Sequence, residues 1–258
     1  MKYDFLYPYH FDSNINESIK RIRASIGSII HQDVNVCVSN TSNHCIYKYI
    51  KDFGKINYLH TPSNTRFNKP KTINYGVINL IESEYFFLSD IDLVYQENHV
   101  NNITEILNEY NEPVRIVHKN YNISYPSYSP KFTDHMKRKK IDDPSGRPWE
   151  GYAHGNGLIH RPSFYKVCGY DEFFIGYAPE DDEFNQRIKH VSKLIYSDRE
   201  DVITAHIFHP RAAVDNTNYE LNMYYYWDVL RELRKKENSD TLTYHDIWTN
   251  KGKQWGIL

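Results

Sequence analysis

The sequence predicts a Rossmann-like α/β fold, in which a mostly parallel central sheet is flanked by helices and followed by a C-terminal helical tail. Three observations carry this. Short apolar runs alternate with amphipathic stretches from the N-terminus onward, the pattern of strands joined by crossover helices. The strongest apolar run, residues 84–89, ends in a pair of aspartates, where ligands of open α/β sheets bind. The chain has 258 residues, enough for one large domain with a tail and a sizeable core.

Residues 3–9, YDFLYPY, read as a first strand. Ile15, Ile19, Ile22, Ile26 and Ile30 recur at helical spacing and define a helix over 14–31, with Ser13 as its expected N-cap. A strand at 34–38, a helix over 43–53 stopped by Gly54, and a strand at 56–60 complete a β-α-β-α-β series. Beyond it come a helix over 68–82, the buried strand 84–89, a helix over 100–110 and a strand at 114–118. Residues 121–153, rich in Pro, Ser, Lys and Asp, read as a long loop of the functional or disordered kind. Helices at 162–168 and 180–190, a strand at 202–208 and a long helix over 218–237 close the chain. The division expected is a catalytic-type domain at 1–215 and a helical extension packed on it at 216–258.

Lys+Arg number 31 against Asp+Glu 33, so no basic surface calls for nucleic acid. Twenty-three tyrosines suit sugar faces and wet clefts, although an Asn-, Ile- and Tyr-rich genome is the stronger explanation. Cys37, Cys45 and Cys168 fit no zinc spacing, and Cys37 and Cys168, in apolar runs, read as reduced core residues. No apolar run approaches the ~20 residues of a membrane span, and no secretory leader is visible. The expected location is cytoplasmic. Peripheral membrane contact stays open through the aromatic stretch from Tyr219 to Trp227 and the basic run from Arg231 to Lys236, which reads otherwise as a helix packed on the domain.

Four segments carry chemistry. Asp90 and Asp92 stand two apart at a strand end, so their carboxylates point the same way, a hard oxygen site for Mn²⁺ or Mg²⁺ shared with a phosphate. Without that position, such a pair is an ordinary solvated one. His206 and His209 offer imidazoles, but positions i and i+3 of a strand face opposite sides. Both reach one ion only if the strand ends near His206 and turns before Pro210. Glu180, Asp181, Asp182 and Glu183 follow Pro179 at a helix start, where they complement the helix dipole, or crowd into a site whose carboxylate has a raised pKa and serves as a base. In Phe67 to Gly76, FNKPKTINYG, a ring could stack on a base and a lysine meet a phosphate; a solvated helix start is the plainer alternative.

In this order, the segments from about residue 56 to about residue 215 resemble the β-1,4-galactosyltransferases and their bacterial chondroitin-polymerase-like relatives, enzymes of the GT-A fold. FNKPKTINYG resembles the family segment F-N-R-x-K-x-x-N-x-G, with Lys in place of Arg. Asp90-Ile91-Asp92 resembles D-V-D, GNGLIH at 155–160 the G-G-V-S region, FYKVCGYDE at 164–172 the segment after it, and GYAPEDDE at 176–183 the family's G-W-G-x-E-D-x-D, with Tyr177 for Trp. The resemblance implies a donor side of Phe67, Lys69, Asn74, Asp90, Gly155 and Asn156, to which Pro8 and His10 are added from their place at the first strand end, where the family pattern is not matched, and a metal held by Asp92, His206 and His209. It implies Asp181 as catalytic base, with Glu180, Asp182 and Tyr177 at the acceptor. The reaction implied is inverting transfer of a hexose or N-acetylhexosamine from a UDP-sugar to a hydroxyl of a glycan acceptor. A nucleotidyltransferase-like enzyme and an inactive sugar-binding domain of the same fold are the alternatives.

Overall fold

The computed structural model describes residues 2–10, 14–63, 67–123, 127–136, 150–209, 216–230 and 255. Strands β1 (Tyr3–Tyr9), β2 (Val34–Asn40) and β3 (Ile56–His60) lie where the apolar runs predict them, and α1 (Ile15–Ile29) is the first crossover. The cap of α1 is corrected by one residue: Asn14 accepts from the Glu17 amide at 3.2 Å, while Ser13 lies outside the described residues. The second crossover shrinks to α2 (Tyr47–Ile50) and a 3-10 turn at Lys51–Phe53. Asn40 and Ser42 side chains donate to the His44 carbonyl at 2.8 and 3.1 Å, and such local bonds compete with helix in the chain ahead of it.

Helix α3 (Lys69–Leu80), strand β4 (Tyr85–Leu88) and helix α4 (His99–Asn108) match expectation, with a two-residue strand β5 (Leu93–Val94) between the last two. Strand β6 (Val114–Asn122) runs past its predicted end. The predicted loop 121–153 holds α5 (Phe132–Met136) and β7 (Glu150–Tyr152) among its described residues. The 155–160 segment contains β8 (Gly157–His160), and α6 (Arg161–Lys166), α7 (Glu180–Ile188), β9 (Lys193–Ser197) and β10 (Thr204–His206) follow. Of these, β5, β7, β8 and β9 are too short to show a period.

One mixed, mostly parallel sheet results, in the order β3-β2-β1-β4-β8-β6-β10-β5, with β7 and β9 also pairing β6. Side chains alternate across it. Phe5, Tyr7, Tyr85 and Phe87 join Ile22, Ile26 and Ile103 of α1 and α4 on one face. Leu6, Phe86 and Leu88 join Ile73, Phe164 and Phe184 of α3, α6 and α7 on the other. Gly76 lets α3 approach the sheet, since a Cβ there would lie 2.8 Å from Leu6. Cys37 is buried as expected; Cys168 is corrected to a half-buried residue with φ 58°.

The C-terminal segment forms α8 (Asn216–Tyr224) and a π-helical turn at Tyr225–Leu230. Tyr225, Tyr226 and Leu230 pack with Phe174, and Asn222 donates to the Ile175 and Tyr177 carbonyls at 2.8 and 3.0 Å. The rest of the expected helix, with the basic run after Leu230, lies outside the described residues. Among the described residues no helix is long and apolar enough to cross a membrane.

Candidate active site

The carboxyl ends of β1 and β4 open the cleft, and strand pairing brings a third strand end to it. β10 runs antiparallel to β5 with His206 opposite Leu93, next to Asp92, and the Ile207 amide donates to the Asp92 carbonyl at 2.8 Å. The strand ends at His206 and the chain turns, so His209 comes back to the same carboxylate. Nε2 of His209 lies 3.0 Å and Nε2 of His206 3.7 Å from Oδ2 of Asp92. The ligand atoms of the three side chains lie within 4.8 Å of one another. Asp92 is buried, and its Oδ1 has no hydrogen-bond partner among the described residues. Burial alone would raise its pKa; His206 and His209 outweigh that and hold the carboxyl well below its usual range. One carboxylate with an orphaned buried oxygen and two imidazoles form a donor set that fits a divalent cation of the Mn²⁺ kind.

Across the cleft stand the acids at the start of α7. Lys69, the first residue of α3, places its ammonium 3.1 Å from Asp181, 3.2 Å from Asp90 and 3.5 Å from Glu180. Burial works against that charge, and Asp181, Asp90 and Glu180 outweigh it, holding the lysine well above its ordinary value. Lys69 thus bridges carboxylates from both sides of the cleft. Glu180 is buried, and desolvation, then the charge of Asp181, push its carboxyl up to about 8 against the pull of Lys69. Asp182 is exposed and pairs with His154 at 2.8 Å. Glu183 turns inward to a buried bidentate pair with Arg187, 2.6 Å on both arms, so the fourth acid is structural.

The turn before β8 meets both groups. Asn156 donates to Asp90 Oδ2 at 2.9 Å and accepts from the Asp90 amide at 2.5 Å. Gly155 lies against Asp181, where a Cβ would fall 2.4 Å from Oδ2. His10 stacks on Phe67 at 4.9 Å and 15°, forming a ring pair at the end of β1. Pro8 is buried within β1 opposite Ser39. Asn74 is fully buried, with its amide bonded to the Tyr170 backbone and to Glu172, so it fastens α3 to the 170–172 loop. Tyr177 is 61% exposed, with its ring 5.8 Å from Tyr219 of α8.

Three contributors escape the sequence reading. Arg115, His154 and Asn185 organise the turn that carries Gly155 and Asn156. A legible signal existed for one of them, an arginine inside the apolar run VRIVH.

Residues 142–210 match the family model described as the N-terminal domain of galactosyltransferase. Over those residues the chain resembles a galactosyltransferase domain, and its fold is similar to that of solved glycosyltransferases. No curated protein matches the sequence significantly. Among solved structures, S. aureus TarS 1–349 in complex with UDP-GlcNAc superposes with a TM-score of 0.59 at 12% identity, covering 97% of this chain and 74% of that one. TarS 1–349 alone gives 0.55 at 15% identity, over 97% and 79%. Drosophila β-1,4-galactosyltransferase 7, in complex with manganese, UDP-Gal and xylobiose, gives 0.46 at 15% identity, over 82% and 74%.

Proposed function

We propose that the protein is an inverting, metal-dependent glycosyltransferase that moves a hexose or N-acetylhexosamine from a UDP-sugar to a hydroxyl of a glycan acceptor. The observation that carries the reading is the single cleft in which Lys69 joins Asp90, two residues from the triad aspartate, to Asp181 at the start of α7. The UDP-GlcNAc bound by the similarly folded TarS supports the choice of donor.

Asp92, His206 and His209 would hold Mn²⁺ or Mg²⁺. When bound, such a cation supplies neutralisation of the charge that builds on the diphosphate leaving group. The ring pair of His10 and Phe67 offers a face for the base, and Gly155 and Asn156 line the sugar side next to Asp90. Asp181 accepts the proton of the acceptor hydroxyl as its oxygen attacks the anomeric carbon opposite the departing diphosphate, and a single displacement inverts that centre. Asp182 and Tyr177, both exposed, and Glu180 contact the acceptor.

One observation favours a second assignment of the base. Glu180 has its carboxyl pushed up to about 8, and its Oε2 has no hydrogen-bond partner among the described residues. A rate governed by Glu180 would climb with an apparent pKa near 8 and vanish in Glu180→Gln. A rate governed by Asp181 would be lost in Asp181→Asn. The function itself is tested by incubating the protein with a panel of UDP-sugars, Mn²⁺ and glycan acceptors and measuring UDP release, beside calorimetry of each donor with and without Mn²⁺. Release that depends on both Mn²⁺ and acceptor supports the reading. No donor binding under either condition would sink it and favour a sugar-binding domain without activity.

A further inference from the structure

We infer that Arg115 is a positioning residue that holds the donor-side Asp90 and the acceptor-side Asp181 in register, acting through the turn at residues 154–157. The inference rests on the reading of Asp181 as the proton acceptor. It starts from an anomaly of composition. Arg115 is the second residue of β6, paired by β8 on one side and β9 on the other, and is fully buried. An apolar side chain would fill a central strand without desolvating a charge. Among the described residues no carboxylate lies within ion-pair distance of the guanidinium. Its donors go instead to neutral oxygens: the His154 carbonyl at 2.9 Å, Ile116 at 3.1 Å, Leu158 at 3.3 Å and Asn185 Oδ1 at 3.3 Å.

The His154 carbonyl is the focus. It accepts a second bond from Asn185 Nδ2 at 2.9 Å, so a strand and a helix grip one oxygen of the turn. Each residue around that oxygen then meets the cleft or the sheet. His154 pairs with Asp182 at 2.8 Å. Gly155 leaves no room for a Cβ beside Asp181, at 2.4 Å from Oδ2. Asn156 clasps Asp90 through both its amide atoms. Gly157 has φ +114°, and a Cβ there would fall 2.1 Å from the Ile116 carbonyl, so the turn closes directly onto the strand that bears Arg115. Three acids from two elements are therefore placed by one four-residue turn, and the turn is placed by Arg115 and Asn185. Asp181 is in turn one of the charges that favour the buried guanidinium. A group that fixes reacting atoms this way acts on the chemical step more than on ground-state binding.

The test uses the full chain with Arg115→Met, Arg115→Lys and Asn185→Ala, and three readouts. These are amide hydrogen exchange of residues 153–157, UDP affinity with Mn²⁺ by calorimetry, and kcat and KM for transfer. The expected result for Arg115→Met is faster exchange in the turn and a kcat lowered roughly 100-fold, with UDP affinity within about threefold of the parent. Arg115→Lys should not restore the rate, because one ammonium cannot span the four oxygens of the fork. Asn185→Ala, which leaves one of the two grips, should lower kcat about tenfold. A folded Arg115→Met protein with unchanged exchange in the turn, or with parental kcat, overturns the inference. If that variant does not fold, Asn185→Ala decides: parental exchange and kcat there overturn it. Absence of transfer by the parent protein would instead count against the proposed function, while the exchange readout would still judge whether Arg115 sets the turn.

Discussion

On the strand side of the cleft, one buried carboxylate faces two imidazoles; on the helix side, Glu180 and Asp181 share one ammonium with Asp90, which reaches it from the strand side. The first arrangement leaves Asp92 ionised, with an oxygen to spare for a cation. In the second, burial of Glu180 and then the charge of Asp181 outweigh the pull of Lys69, and Glu180 holds its proton up to about 8. The two sides also differ in construction. The triad is set by strand pairing, His206 opposite Leu93, whereas the acids depend on a turn and a lysine from another helix. On the proposed function, a site split this way would separate the binding of a cation from the handling of a proton.

The largest expected effect breaks the helix side alone. Asp181→Asn should lower transfer by ~10²–10⁴-fold and leave UDP and Mn²⁺ binding intact, measured by steady-state kinetics beside calorimetry. Equal loss of UDP affinity would mean that the two sides are one. Asp92→Ala is the converse. It should remove the Mn²⁺ dependence of UDP binding and cost ~10²–10³-fold in rate. Glu183→Gln sharpens the contrast inside a single run of acids. Glu183 is paired with buried Arg187, so its loss should cost about 3 kcal/mol of stability in urea melts, whereas Asp181→Asn should cost little. Similar melts for the two variants would remove the distinction between structural and reactive acids.

Much of this was legible in the residues. Alternation in YDFLYPY and EYFFLS reproduces the two faces of the sheet, and the condition that the strand end near His206 is met. What escaped has physical causes. β8 is central to the sheet but four residues long, and begins at a glycine with positive φ that reads as loop. The run EDDE shows four equal acids, and only the i,i+4 spacing to Arg187 hints that Glu183 turns inward. Lys69 and Asn74 lie in one helical segment, yet which end faces the cleft depends on a loop about a hundred residues later. Arg115 was visible as a misfit in an apolar strand, but its partners are carbonyls, which carry no residue code.

The smallest effect concerns a second histidine pair, and sharpens what the cleft histidines mean. His99 of α4 and His118 of β6 meet edge to face at 5.0 Å, fully buried, and none of their ring nitrogens has a hydrogen-bond partner among the described residues. Burial pulls His99 from 6.5 down to about 3, and burial, then His99 and Arg115, pull His118 well below its ordinary value. Both are therefore neutral when folded, whereas the unfolded chain takes up protons as the pH falls below about 6.5. Stability is thus lost on acidification from about 6.5 toward about 3, the range between the unfolded and folded values of His99. Each imidazole should remove about 2 kcal/mol between pH 7 and pH 5, measured as the free energy of urea unfolding. His99→Phe with His118→Phe should flatten that slope whatever it does to stability at pH 7. An unchanged slope would show that this buried pair does not carry the acid sensitivity.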